Sequence, residues 1–209
     1  MNFVLSRPLW IEINLDNLVY NFEQIKKRLS CRTKIMAIVK KDAYGHGMVE
    51  VSKVLSSLGV DYLGVACIDE AIKLRRENIK LPILILGGIL EENLRSLENL
   101  DLSFSISRLD LAEKLNSLAK KSKNKIRVHI KIDTGMSRLG VLYYKAYDFV
   151  KKVSKFSHLH IEGIFTHLAC ADKNREFTLL QIERFRRLTE KLKKNSIEIP
   201  LIHCANSIG

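Results

Sequence analysis

Residues 34–47 read Lys-Ile-Met-Ala-Ile-Val-Lys-Lys-Asp-Ala-Tyr-Gly-His-Gly. From Lys34 to Val39 the run is apolar at its centre and rich in β-branched residues, as in a strand buried on both faces of a parallel sheet. Lys40 stands where that strand ends, and a glycine-flanked turn holding Tyr44 follows. An ammonium is costly to bury without a partner, so a lysine in such a place shifts toward the neutral amine. The neutral amine can attack a carbonyl carbon or accept a proton.

Outward from this stretch, strand-like and helix-like segments alternate. An opening strand is expected over 10–14, then a helix capped by Asp16 with Leu18, Phe22, Ile25 and Leu29 on one face. After the strand over 34–39, a helix follows Gly47 with Val51, Val54, Leu55 and Leu58 inward. Further strands are expected over 61–66, 83–86, 102–106, 127–132, 160–167 and 199–204. The helices between them are expected over 69–77, 91–99, 108–121, 143–156 and 177–194. Alternation at this spacing implies a parallel sheet. An open doubly wound sheet is the alternative, but no Gly-rich dinucleotide fingerprint follows the first strand. Seven βα-type strands predict an α/β fold, a TIM-type (β/α) barrel with seven of its eight strands, in one domain over 1–209.

Composition narrows the function. The chain has 209 residues, 46% hydrophobic and 28% charged, with a net charge of +12. Such positive charge raises nucleic acid as a partner. The lysine pairs at 26–27, 120–121, 151–152 and 193–194 instead fall opposite apolar stripes, as on solvated helix faces, and no nucleic-acid-binding signature is present. Cys31, Cys67, Cys170 and Cys204 form no CxxC pair, so neither zinc nor a disulfide framework is suggested. The longest apolar run, 81–90, is broken by Pro82, Gly87 and Gly88 and cannot span a bilayer, and residues 1–14 lack a signal-peptide core. A cytoplasmic protein with no membrane, nucleic-acid or metal partner is expected.

The strand ends carry polar residues where a structural core would carry Val, Ile or Leu. His129, Lys131 and Asp133 share one parity of their strand and Val128, Ile130 and Ile132 the other, so the polar set is expected inside the barrel. In a barrel, chemistry gathers at the C-terminal strand ends. Thr166-His167 ends the sixth βα strand, and His203-Cys204-Ala205-Asn206-Ser207 ends the seventh.

These strings, with Lys40 to Gly47 and Lys131 to Gly140, closely resemble motifs of the alanine racemase family in the family's order. The resemblance runs from Arg7-Pro8 to Gly209; one small departure is Lys41, where the family often carries a small residue. It implies pyridoxal 5'-phosphate as cofactor, Lys40 as its Schiff-base and catalytic lysine, and Tyr44 as a phosphate-binding hydroxyl. It implies that Arg138 contacts the phenolic oxygen of the cofactor, that His167 and Asn206 lie beside it, and that Ser207 bonds its phosphate. The lysine matching Lys131 is often carbamylated in that family, an anion that can hold the guanidinium.

By the same resemblance the reaction is interconversion of L- and D-alanine by two bases on opposite faces, for peptidoglycan precursors, in a homodimer. The family continues with an eighth strand bearing an arginine for the pyridine nitrogen and a C-terminal β domain bearing the second catalytic tyrosine. The 209 residues are expected to stop before both, to be weakly active or inactive alone, and to leave two strand edges unpaired. A non-catalytic pyridoxal-phosphate-binding barrel is the alternative, favoured by length and opposed by the motifs. A decarboxylase or aldolase of the same barrel class stands third.

Overall fold

The computed structural model describes residues 9–88 and 100–209. Seven strands run parallel in chain order: β1 (Met36–Ile38), β2 (Tyr62–Val65), β3 (Ile83–Ile85), β4 (Leu102–Ile106), β5 (Ile126–Asp133), β7 (Leu159–Phe165) and β8 (Leu201–His203). A two-residue strand, β6 (Val141–Leu142), pairs with the end of β5 off this path. The helical segments are α1 (Leu15–Arg28), α2 (Lys40–Gly45), α3 (Met48–Ser57), α4 (Ile68–Arg76), α5 (Leu109–Ser122), α6 (Ala146–Val153) and α7 (Arg175–Lys194). The predicted helix over 91–99 lies outside the described residues, as do Arg7 and Pro8.

Each parallel pair is joined by a crossover, and sequential strands lie side by side, so the sheet curls into an incomplete barrel. Ile83, Leu84 and Ile85 of β3 are all fully buried, because one parity packs inside the barrel and the other under the helices. Among the described residues β1 and β8 each have a single neighbour, and Ile38 and Ile202 on these edges stay exposed.

The structure corrects three expectations. Residues 10–14 form no strand; with no ladder partner among the described residues the extended backbone has nothing to bond, and Trp10 and Ile11 are exposed. The cap of α1 is Asn14, whose side chain accepts from the Asn17 amide at 3.1 Å, with Asp16 inside the first turn. Only Phe22 of the α1 stripe is buried, while Ile25 and Leu29 are exposed.

One irregularity matters for the interior. β5 and β7 pair Val128 with Ile161 and then His129 with Gly163, so Glu162 is the extra residue of a β-bulge. A bulge re-aims a side chain, and here it turns Glu162 onto Tyr62, Ser103 and His129. Gly163 makes the room: a Cβ there would lie 2.4 Å from His129 Nδ1.

Candidate active site at the barrel mouth

β1 stays in register through the Val39 amide, which donates to Gly64 at 2.9 Å; Lys40 follows and the chain leaves the sheet. Lys41, Asp42, Ala43 and Tyr44 all take left-handed backbone angles, φ between 52° and 56°. Left-handed geometry costs an L-residue roughly 1–2 kcal/mol, so four in a row cost roughly 4–8 kcal/mol. Local bonds offset part of this. The Ala43 amide donates to Val39 at 2.8 Å and Gly47 to Asp42 at 3.0 Å, and the Asp42 carboxylate accepts from the Met48 amide at 3.0 Å. That amide bond, with Lys73 beside it, holds the Asp42 carboxyl below its ordinary range. Gly45 and Gly47, at φ 88° and 86°, let the chain escape into α3. The Lys40 ammonium thereby lies 5.9 Å from the centre of the Tyr44 ring, whose surface is open to solvent.

β5 supplies the next group. His129, Lys131 and Asp133 are all buried, on the interior parity the sequence predicted. One Asp133 oxygen accepts from the Gly135 amide at 2.9 Å and the Ser137 amide at 3.0 Å, which fixes the loop that presents Arg138. Gly140 closes this loop against β5, where a Cβ would lie 2.6 Å from the Asp133 nitrogen, and β6 then zips onto Ile132 and Asp133. Lys131 Nζ sits 5.5 Å from the Phe165 ring centre. Burial lowers the Lys131 pKa, and the charges of Arg138 and Lys40 lower it further. Burial likewise lowers the His167 pKa, followed by Arg138, Lys131 and Lys40.

Lys40, Lys131, Arg138 and His167 thus feel one another's charge at the C-terminal ends of three strands. Among the described residues no carboxylate forms an ion pair with Lys40, Lys131 or Arg138. Asn206 and Ser207 lie exposed in the segment after β8, where Asn206 Oδ1 accepts from the Ile208 and Gly209 amides at 3.1 and 2.9 Å. Tyr143, Tyr144 and Tyr147 line a groove of about 410 Å³ against α7, with Arg184 over the Tyr143 ring at 4.5 Å.

Two supporting groups escaped the sequence reading. Gln181, fully buried on α7, donates to Thr134 Oγ1 (3.1 Å) and the His167 carbonyl (3.2 Å) and accepts from the Ala169 amide (2.9 Å). It ties the loop after β5 to the loop after β7 and so fixes the backbone of His167. One layer below Lys131, Glu162 takes hydrogen bonds from His129 Nε2 (3.0 Å), Ser103 (2.5 Å) and Tyr62 (3.1 Å). His129 Nδ1 meets His203 Nε2 at 2.9 Å, and the His203 ring stacks on Phe165. Burial, then the neighbouring His129, pushes the His203 pKa down to about 3, so this ring is neutral. No sequence spacing signals these contacts, because each spans separate strands or a helix and two loops.

Seven parallel strands under outer helices, with a basic cluster at the C-terminal mouth, define a TIM-type (β/α) barrel protein. The family model for the alanine racemase N-terminal domain matches residues 13–209. An alanine racemase of Halothermothrix orenii is 42% identical over 208 residues, covering 99% of this chain and 55% of its own length. An alanine racemase of Clostridium difficile 630 solved in complex with cycloserine superposes with a TM-score of 0.94 at 38% identity, over 98% of this chain and 57% of that one. One from Bacillus anthracis with bound L-Ala-P gives 0.89 at 30% identity, over 98% and 53%. The chain belongs to the alanine racemase family and spans about half the length of the curated relatives it matches. The cofactor of the family is pyridoxal 5'-phosphate, which its N-terminal domain binds. The mouth fits that group: a buried amine and a guanidinium that form no ion pair with a carboxylate among the described residues suit an anionic aldehyde.

Proposed function

We propose that this chain is the cofactor-binding part of an alanine racemase and that Lys40 carries pyridoxal 5'-phosphate. The observation that carries this reading is the cluster of Lys40, Lys131 and Arg138 beside His167, with which no carboxylate among the described residues forms an ion pair. The cofactor supplies an aldehyde that condenses with amines and a conjugated ring that acidifies the α-proton of a bound amino acid. Lys40 would hold the cofactor through its amine, and the same amine would serve as the base for the α-proton of a bound amino acid on its own face. Arg138 would bind the phenolic oxygen, Tyr44 and Ser207 would bind phosphate through their hydroxyls, and His167 and Asn206 would flank the ring. The lowered pKa of Lys131 favours the neutral amine, the form that adds carbon dioxide to give a carbamate. That anion would steady Arg138.

Alanine is the substrate of this reading, taken from the names of the relatives, and peptidoglycan precursor synthesis, homodimeric assembly and the cytoplasm belong to the same reading. No helix among the described residues is long and apolar enough to cross a membrane.

The test is chemical. Incubation with pyridoxal phosphate, borohydride reduction and peptide mapping should label Lys40, and label confined to other lysines would overturn the assignment. With L-alanine in deuterated water, α-proton exchange should be lost in Lys40→Ala. Cofactor binding without exchange in the parent chain would favour a binding protein over a catalyst.

A further inference from the structure

Among the described residues, Glu70 and Lys73 of α4 are the side chains from outside that bond the left-handed turn carrying Lys40 and Tyr44. Glu70 accepts from the Lys41 amide through Oε1 and from the Ala66 amide through Oε2, both at 2.7 Å. Lys41 is the residue after the proposed cofactor lysine and the first with left-handed angles; Ala66 is the residue after β2. Glu70 is the third residue of α4, counted from its N-cap Cys67, which makes no side-chain cap bond. A glutamate there ordinarily reaches back to the N-cap amide. This one goes one residue further, to Ala66, and crosses to the neighbouring strand end.

Parallel pairing of β1 and β2 ends at the bond from Val39 to Gly64. Beyond it the Lys41 amide has turned out of the ladder and bonds no backbone carbonyl among the described residues. The Glu70 carboxylate provides the acceptor that the ladder no longer provides, and charge makes both bonds stronger than neutral ones. The other exterior contact of the turn, Lys73 to Asp42 at 3.4 Å, is an exposed ion pair and holds little.

We propose, resting on the assignment of Lys40 above, that Glu70 is a positioning residue for the cofactor. By clamping the Lys41 and Ala66 amides together it sets the direction in which Lys40 leaves β1. Because Tyr44 ends the same turn, it also sets where the Tyr44 hydroxyl stands relative to the Lys40 amine. Glu70 touches neither cofactor nor substrate; it acts through the backbone of Lys41.

The substitution Glu70→Gln keeps the shape of the side chain but offers one acceptor and one donor, so one of the two amides faces an N–H group. Asp69→Asn makes the same charge change in the same first turn, at an exposed neighbour with no part in the clamp. Hydrogen exchange of the apo chain should show the Lys41 amide opening about tenfold faster in Glu70→Gln, the equivalent of one charge-assisted bond, and unchanged in Asp69→Asn. Absorbance titrations should show pyridoxal phosphate binding weakened by about tenfold in Glu70→Gln. Pyridoxal, which lacks the phosphate that Tyr44 would hold, should lose less. A purely structural role would weaken both ligands equally, together with the unfolding midpoint and exchange throughout the sheet. That pattern, or parent-like Lys41 exchange and parent-like affinities in Glu70→Gln, overturns the proposal. Should borohydride label a lysine other than Lys40 in the parent chain, the assignment of the site fails on its own terms. The exchange experiment would still report whether Glu70 pins the turn.

Discussion

Two layers of the barrel interior, one residue pair apart on β5, hold charge in opposite ways. In the lower layer His129 is enclosed by partners: Glu162, Ser103, Tyr62, Arg127 and His203 satisfy one another, and Arg127 runs on to Asp101 at 2.6 Å. In the upper layer Lys131 faces Arg138 and Lys40, opposed by Asp133, a carboxylate already engaged by loop amides. A closed polar network rigidifies the lower barrel. Unpaired cations above it raise the energy of the apo mouth and are relieved by an anion. The same strand serves as structure below and as a site above, and what differs is whether each charge has a partner within the chain.

The largest effect should come from opening the lower layer. Glu162→Leu leaves His129 Nε2, Ser103 and Tyr62 without their acceptor, and the loss of one partner from a buried ionic network costs about 3–5 kcal/mol. That is a large part of a typical net stability of roughly 5–15 kcal/mol. Urea unfolding should show it, and a loss below about 1 kcal/mol would mean the layer is not closed. The pH profile sharpens the point. Burial raises the Glu162 carboxyl, but the bonds from His129 and Ser103 outweigh it and bring the pKa from 4.5 to about 2. The unfolded chain therefore takes up that proton first, and the stabilisation is lost as pH falls from 4.5 toward 2. His203, brought from 6.5 to about 3, acts in the same direction over its own window. Stability should fall progressively below pH 6.5, and in Glu162→Leu the carboxylate part of that fall should vanish.

A smaller effect is expected from crowding the same layer. Gly163→Ala puts a methyl 2.4 Å from His129 Nδ1 and forces the ring away from Glu162 and His203. Overpacking of this kind costs about 1–3 kcal/mol, to be read from the denaturant midpoint.

The smallest effect, and of opposite sign, belongs to the upper layer. Lys131→Met removes an unpaired buried cation, so apo stability should rise by up to about 1 kcal/mol. The folded chain holds the Lys131 proton less tightly than the unfolded chain, so parent stability should climb as pH rises toward 10.5, and this climb should flatten in the variant. Added salt should stabilise the parent more than Lys131→Met, through screening of the mouth. Destabilisation by Lys131→Met would mean that the lysine has a partner and that the two layers are alike.

The strand ends were legible because chemistry at a barrel mouth is written in short strings. Lys40 to Gly47, Lys131 to Gly140 and Thr166-His167 each occupy one turn or strand end, and the parity of His129, Lys131 and Asp133 follows from the two-residue period of a strand. Glu162 was not legible. By parity it alternates with Ile161 and Gly163, and only the bulge opposite Val128 and His129 turns it inward. Gln181 reads as an ordinary polar residue of a helix until the loops it joins are folded over it. Asn14 and Asp16 are both good capping residues, and the choice between them rests on where the helix axis starts.

By itself the sequence determined the alternation of strands and helices, the parallel barrel and the residues at its mouth. Those depend on local periodicity and on motifs contiguous in the chain. Only the tertiary structure decided which charges are paired. Pairing is a matter of distance across strands, set by register, a single bulge and the crossover helices, and neither residue type nor spacing encodes it.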